Sequence, residues 1–87
     1  MTNNVFTLYN KLANRYGDVF CFASDGLAVA RVQPELKRAG TLDECELCRI
    51  GTIDIESGAL TPCSPIRIAW TVEPLPVTPQ EVQSSNT

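Results

Sequence analysis

The spacing of apolar positions changes along the chain, and each change marks the edge of an element. Val5-Phe6-Thr7-Leu8-Tyr9 is dense in aromatic and β-branched residues and predicts a strand, which Asn10-Lys11-Leu12-Ala13-Asn14 interrupts as a loop. Tyr16 to Ala23, with Val19-Phe20-Cys21-Phe22 near its centre, predicts a second strand returning antiparallel through a short connection. Ser24 or Asp25 can accept from the free N–H groups of a helix starting near Gly26. Its apolar side carries Val29, Val32 and Leu36 at helical spacing, with Arg31, Glu35 and Arg38 on the other. Pro34 lacks an N–H and its ring collides with the preceding turn, so the helix is expected to bend there or restart and stop at Gly40.

Thr41 to Glu46 reads as a polar link. From Cys48 the period becomes two: Cys48 and Ile50 share a face, and Ile53 and Ile55 are displaced from it by one position across Gly51. A bulge at Gly51 restores the apolar face. Glu56-Ser57-Gly58 has the composition of a three-residue hairpin loop whose last residue takes a positive φ, returning the chain through Ala59 to Thr61. Pro62 and Pro65 interrupt pairing, and Ile66, Ile68, Trp70 and Val72 then alternate with Arg67, Ala69 and Thr71 as a half-buried strand at a sheet edge. The stretch from Pro74 to Thr87 has no amphipathic period and is expected to be disordered.

This order predicts an α+β fold: a small antiparallel sheet in β-β-α-β-β order, with one helix, bent or restarted at Pro34, packed on one face. Residues 1–73 form the single domain and 74–87 the tail. A length of 87 residues allows no second domain. So small a core barely exceeds the entropy of ordering, and a homo-oligomer, a dimer through the sheet edge or its bare face, is expected to supply the difference.

Seven Lys plus Arg against ten Asp plus Glu give a net charge of −3, which argues against a polycationic coat for nucleic acid but leaves room for a local basic face. No apolar run is long enough to span a membrane, and Met1-Thr2-Asn3-Asn4 lacks the basic and then apolar pattern of an export signal. A cytoplasmic protein with no membrane partner is expected, with its four cysteines as reduced thiols. Histidine is absent, which removes the usual general base, the commonest metal ligand and any Cys/His nucleophile pair. No enzyme activity and no cofactor are expected.

One resemblance adds to this reading. Val5-Phe6-Thr7-Leu8-Tyr9-Asn10-Lys11-Leu12-Ala13 resembles the opening strand and following turn of the small nonstructural protein of the gokushoviruses, the family called viral protein five, with Asn10 where the family has an acid. Ser24-Asp25-Gly26-Leu27-Ala28-Val29-Ala30 sits where that family has a polar cap and a helix. Leu47-Cys48-Arg49-Ile50-Gly51-Thr52-Ile53-Asp54, with Ser57-Gly58 and Pro62 after it, is similar to its Ile-Gly hairpin. Tyr16-Gly17-Asp18 stands where the family has a proline pair. Gokushoviruses are single-stranded DNA phages of the microvirus group. The resemblance implies a role in phage DNA replication in the host cytoplasm, with single-stranded DNA or replication proteins as partners.

Single-strand binding needs aromatic faces beside cations, because every base offers a stacking face and every nucleotide a phosphate. The candidates are Tyr9, Lys11, Arg15 and Tyr16 on the first hairpin and Arg31, Lys37 and Arg38 on the helix, with Lys11, Arg15 and Tyr16 foremost because a loop tip exposes them together. Phe6, Phe20 and Phe22 read as core aromatics. Ile66, Ile68 and Trp70 could serve a partner strand as well as the core. Cys45-Glu46-Leu47-Cys48 is a CxxC that with Cys21 and Cys63 would supply four thiolates for zinc. A zinc ribbon would show two such pairs, so small buried thiols are the expected reading, with no metal. Asp54 and Glu56 read as solvated turn acids. The alternative to DNA handling is a protein-interaction module that regulates a host or viral protein without touching DNA.

Overall fold

A computed structural model describes residues 1–70; the expected tail and the expected domain end at residue 73 lie outside the described residues. The elements are β1 (Thr2–Asn10), β2 (Arg15–Phe22), α1 (Asp25–Ala39), a 3₁₀ turn (Leu42–Glu44), β3 (Cys45–Asp54) and β4 (Leu60–Ile68). They form one antiparallel four-stranded sheet in the order β2-β1-β3-β4, with α1 on one face. The fold is the α+β arrangement that the period changes predict.

Alternation along the strands decides the core. Phe6 on β1 and Leu47 on β3 point to the helix side and are fully buried, each contributing ~2–3 kcal/mol of burial. Ala28 and Val29 close over them, and Leu8, Phe20, Phe22, Ile68 and Trp70 pack around this centre. The three phenylalanines form an aromatic cluster, with Phe6 6.1 Å from Phe20 and 6.4 Å from Phe22 between ring centroids. Ser24 caps α1 by accepting from the Leu27 N–H at 3.1 Å, and Gly40, at φ 75°, donates to the carbonyls of Leu36 and Lys37.

The expectation of a bent or restarted helix is corrected: α1 runs unbroken through Pro34. Both Pro34 and Ala30, the residue whose carbonyl Pro34 cannot reach, are on the exposed side, so water can satisfy that carbonyl. The expected polar link is also shorter, because Cys45 and Glu46 already belong to β3. Both register shifts of β3 flank Ile50 and Gly51, where the bulge was expected. It returns Ile53 to the face of Cys48, while Asp54 accepts from the N–H groups of Glu56 and Ser57 to build a turn closed by Gly58 at φ 78°. β4 ends at Ile68 and carries Pro62 and Pro65 within it as an edge strand.

The sheet has one covered face and one open face. On the open side the strands present Met1, Val5, Thr7 and Tyr9, then Tyr16, Val19 and Cys21, then Glu46, Cys48, Ile53 and Ile55, and finally Leu60 and Arg67, as the cross-strand register requires.

Candidate functional site

The β1–β2 turn is built by its two asparagines. The Asn10 side-chain oxygen accepts from the N–H groups of Leu12 and Ala13 at 2.9 and 2.8 Å, which folds the turn back on itself. Asn14 takes φ 60°, a left-handed conformation that asparagine tolerates, and its side-chain oxygen accepts from the Tyr9 hydroxyl. The sequence signal for this fold-back is Asn at both ends of the five-residue stretch Asn10–Asn14. The Lys11 N–H donates to the Glu44 carbonyl at 2.8 Å, tying the turn to the segment that follows α1.

On this frame Tyr9 and Tyr16 are directly opposed across β1 and β2, their ring centroids 4.9 Å apart and tilted by 54°. Tyr9 is half-buried and Tyr16 is exposed. Lys11 and Arg15, which follow and precede them along the hairpin, are also exposed. Behind the pair lies an open cleft of about 310 Å³, bordered among others by Leu8, Asn10, Arg15, Asp18 and Phe20.

α1 runs toward this same end of the sheet, since its C-terminus leads through the 3₁₀ turn into Cys45, which is opposite Asn10. Lys37 and Arg38, in the last turn of α1, therefore lie at the hairpin end, both exposed. Arg38 is bound to Glu35 at 2.6 Å. Arg31, about two turns earlier on α1, stands apart from the group. Acids share the region: Asp18 on β2, Glu35 on α1, and Asp43 and Glu44 in the 3₁₀ turn. The structure thus gathers Tyr9, Lys11, Arg15, Tyr16, Lys37 and Arg38 at one end, interleaved with carboxylates.

Of the residues read as a strand-pairing surface, only Ile66 is well exposed. Ile68 and Trp70 pack on the covered core instead, and the Trp70 indole N–H donates to the Cys45 carbonyl at 3.0 Å. The four cysteines are dispersed. Cys45 and Cys48 are three residues apart on an extended strand, an odd spacing that sends them to opposite faces. Burial, followed by the neighbouring carboxylates Glu44 and Glu46 respectively, pushes both thiols above their ordinary value, which keeps them neutral. Among the described residues no group of cysteines and carboxylates is placed to hold a metal ion, and no helix is long and apolar enough to cross a membrane. No protein-family model, curated protein or solved structure matches this chain.

Proposed function

We propose that this chain is a nonenzymatic phage protein acting in single-stranded DNA replication, and that the β1–β2 hairpin end binds single-stranded DNA. The observation that carries the reading is the Tyr9–Tyr16 pair, 4.9 Å between centroids, on the same hairpin as the exposed Lys11 and Arg15. In this reading a base stacks on the exposed Tyr16 ring, with Tyr9 holding that ring from behind. Lys11 and Arg15 take the flanking phosphates, and Lys37 and Arg38 extend the track. The resemblance of Val5 to Ala13 and of the Ile50-Gly51 hairpin to viral protein five supports the same reading. With Asp18, Asp43 and Glu44 nearby, binding is modest and strongly salt-dependent.

The second reading, a protein-interaction module without DNA contact, is favoured by those same carboxylates, which leave the hairpin end without a large positive excess. Fluorescence anisotropy of labelled single-stranded DNA across a salt series separates the two. The first reading expects binding at low salt that falls steeply as salt rises; no binding even at low salt removes it and leaves the second.

A further inference from the structure

We infer that the open face of the sheet is covered by the same face of a second copy of this chain, in a sheet-on-sheet dimer. Among the described residues, five of the seven exposed large apolar side chains belong to this face: Met1, Tyr16, Val19, Ile55 and Leu60; Tyr16 sits at its hairpin end, and the pairing uses the other four, which leaves the Tyr16 ring free to stack. Val19 is 61% and Leu60 57% exposed, at opposite margins of the sheet, with Val5 and Cys48 buried between their neighbours at its centre and Met1 and Ile55 exposed at the far end of β1 and β3. A soluble monomer seldom leaves so broad a patch uncovered.

The area fits a dimer. Four strands about 4.8 Å apart and about nine residues long at ~3.3 Å each span roughly 19 by 30 Å, or about 570 Å² in projection. This is close to the lower end of the ~600–1,000 Å² per partner that stable pairs bury. Charge points to self-pairing. Among the described residues, Glu46 and Arg67 are the only ionised side chains that strand alternation places here, and they already bind each other at 2.9 Å. A two-fold partner presents the same surface and buries no unpaired side-chain charge, whereas a charged partner gains nothing from its strands. Edge pairing through β4 is disfavoured by Pro62 and Pro65, which cannot donate. The described chain ends at Trp70 on the covered side, away from this face.

Sedimentation equilibrium of the full chain at ~100 μM tests the proposal, together with the variants Val19→Asp and Leu60→Asp. Both positions are exposed and outside the core, so each variant is expected to keep the wild-type circular dichroism. The expected result is twice the 9.5 kDa chain mass for the wild type and a single chain mass for both variants. A wild-type monomer, an assembly larger than two, or a dimer that both folded variants leave intact would overturn it. If one variant fails to fold, the other decides.

Discussion

Asp25 Oδ1 lies 3.2 Å from Arg49 Nε and also accepts a hydrogen bond from Asn4 Nδ2 at 2.9 Å. One carboxylate in the first turn of α1 therefore ties the helix to β3 and β1 at once. The Arg49 contact is within ion-pair range but outside hydrogen-bond geometry, so Asp25 compensates the buried Nε by charge alone. It also faces the positive end of the helix dipole. Replacing Asp25 by Ala should cost about 1–3 kcal/mol, read as a lower urea midpoint with unchanged slope. An unchanged midpoint would show that the pair does not anchor the helix.

Gly51 sits where no side chain fits. A Cβ there would lie 2.5 Å from the Thr61 carbonyl oxygen and 3.0 Å from the Pro62 Cα, both backbone atoms of β4. Gly51→Ala should destabilise by about 2–3 kcal/mol by pushing β4 off β3. Gly26→Ala is the control: the space is open and the residue is helical, so a gain of about 0.5 kcal/mol is expected. Equal thermal midpoints for the two variants would contradict this packing.

The cysteines should separate by reactivity and by pH. Cys63 is exposed and should react at once with a thiol reagent, while buried Cys45 and Cys48 wait for the domain to open. Cys21, exposed on the open face, should slow as protein concentration favours the dimer. The raised Cys45 and Cys48 values also fix the sign of the alkaline response. Above the ordinary thiol value of 9.0 the unfolded chain loses these protons first, so the folded state binds more protons. Stability from the neutral thiols is complete below that pH and is lost as pH rises through the folded-state values. The urea midpoint should therefore hold as pH approaches 9.0 and fall as pH rises above it, and fall less in Cys48→Ala; equal falls would contradict the assignment.

Local chemistry was legible where it is decided within a few residues. The Gly51 bulge, the positive φ at Gly58, a cap at Ser24 or Asp25 and the helix stop at Gly40 all follow from residue type and spacing, while the loop is longer than the three residues expected, with β4 starting at Leu60. Pro34 misled because its cost depends on whether the Ala30 carbonyl faces water, which only the docking of α1 decides. The Cys45/Cys48 spacing left a shared zinc site open beside the expected buried thiols; what separates the two is that β3 begins at Cys45, which puts them on opposite faces. Trp70 alternates with Ile66 and Ile68 on paper, but its fate rests on a hydrogen bond to Cys45, 25 residues away. The hairpin grouping of Tyr9, Lys11, Arg15 and Tyr16 was readable because it is local; the approach of Lys37 and Arg38 was not, since it depends on the direction of α1 across the sheet.

The most direct test of the hairpin as a single-strand site is the salt slope of DNA binding in wild type and in the Lys11→Ala/Arg15→Ala double variant. Both side chains are exposed, so the variant should keep the wild-type unfolding midpoint. Loss of two phosphate contacts should weaken binding and lower the slope of log affinity against log salt by about 1.4, or ~0.7 per contact. An unchanged affinity and slope in the folded variant would contradict a DNA-binding role for this hairpin.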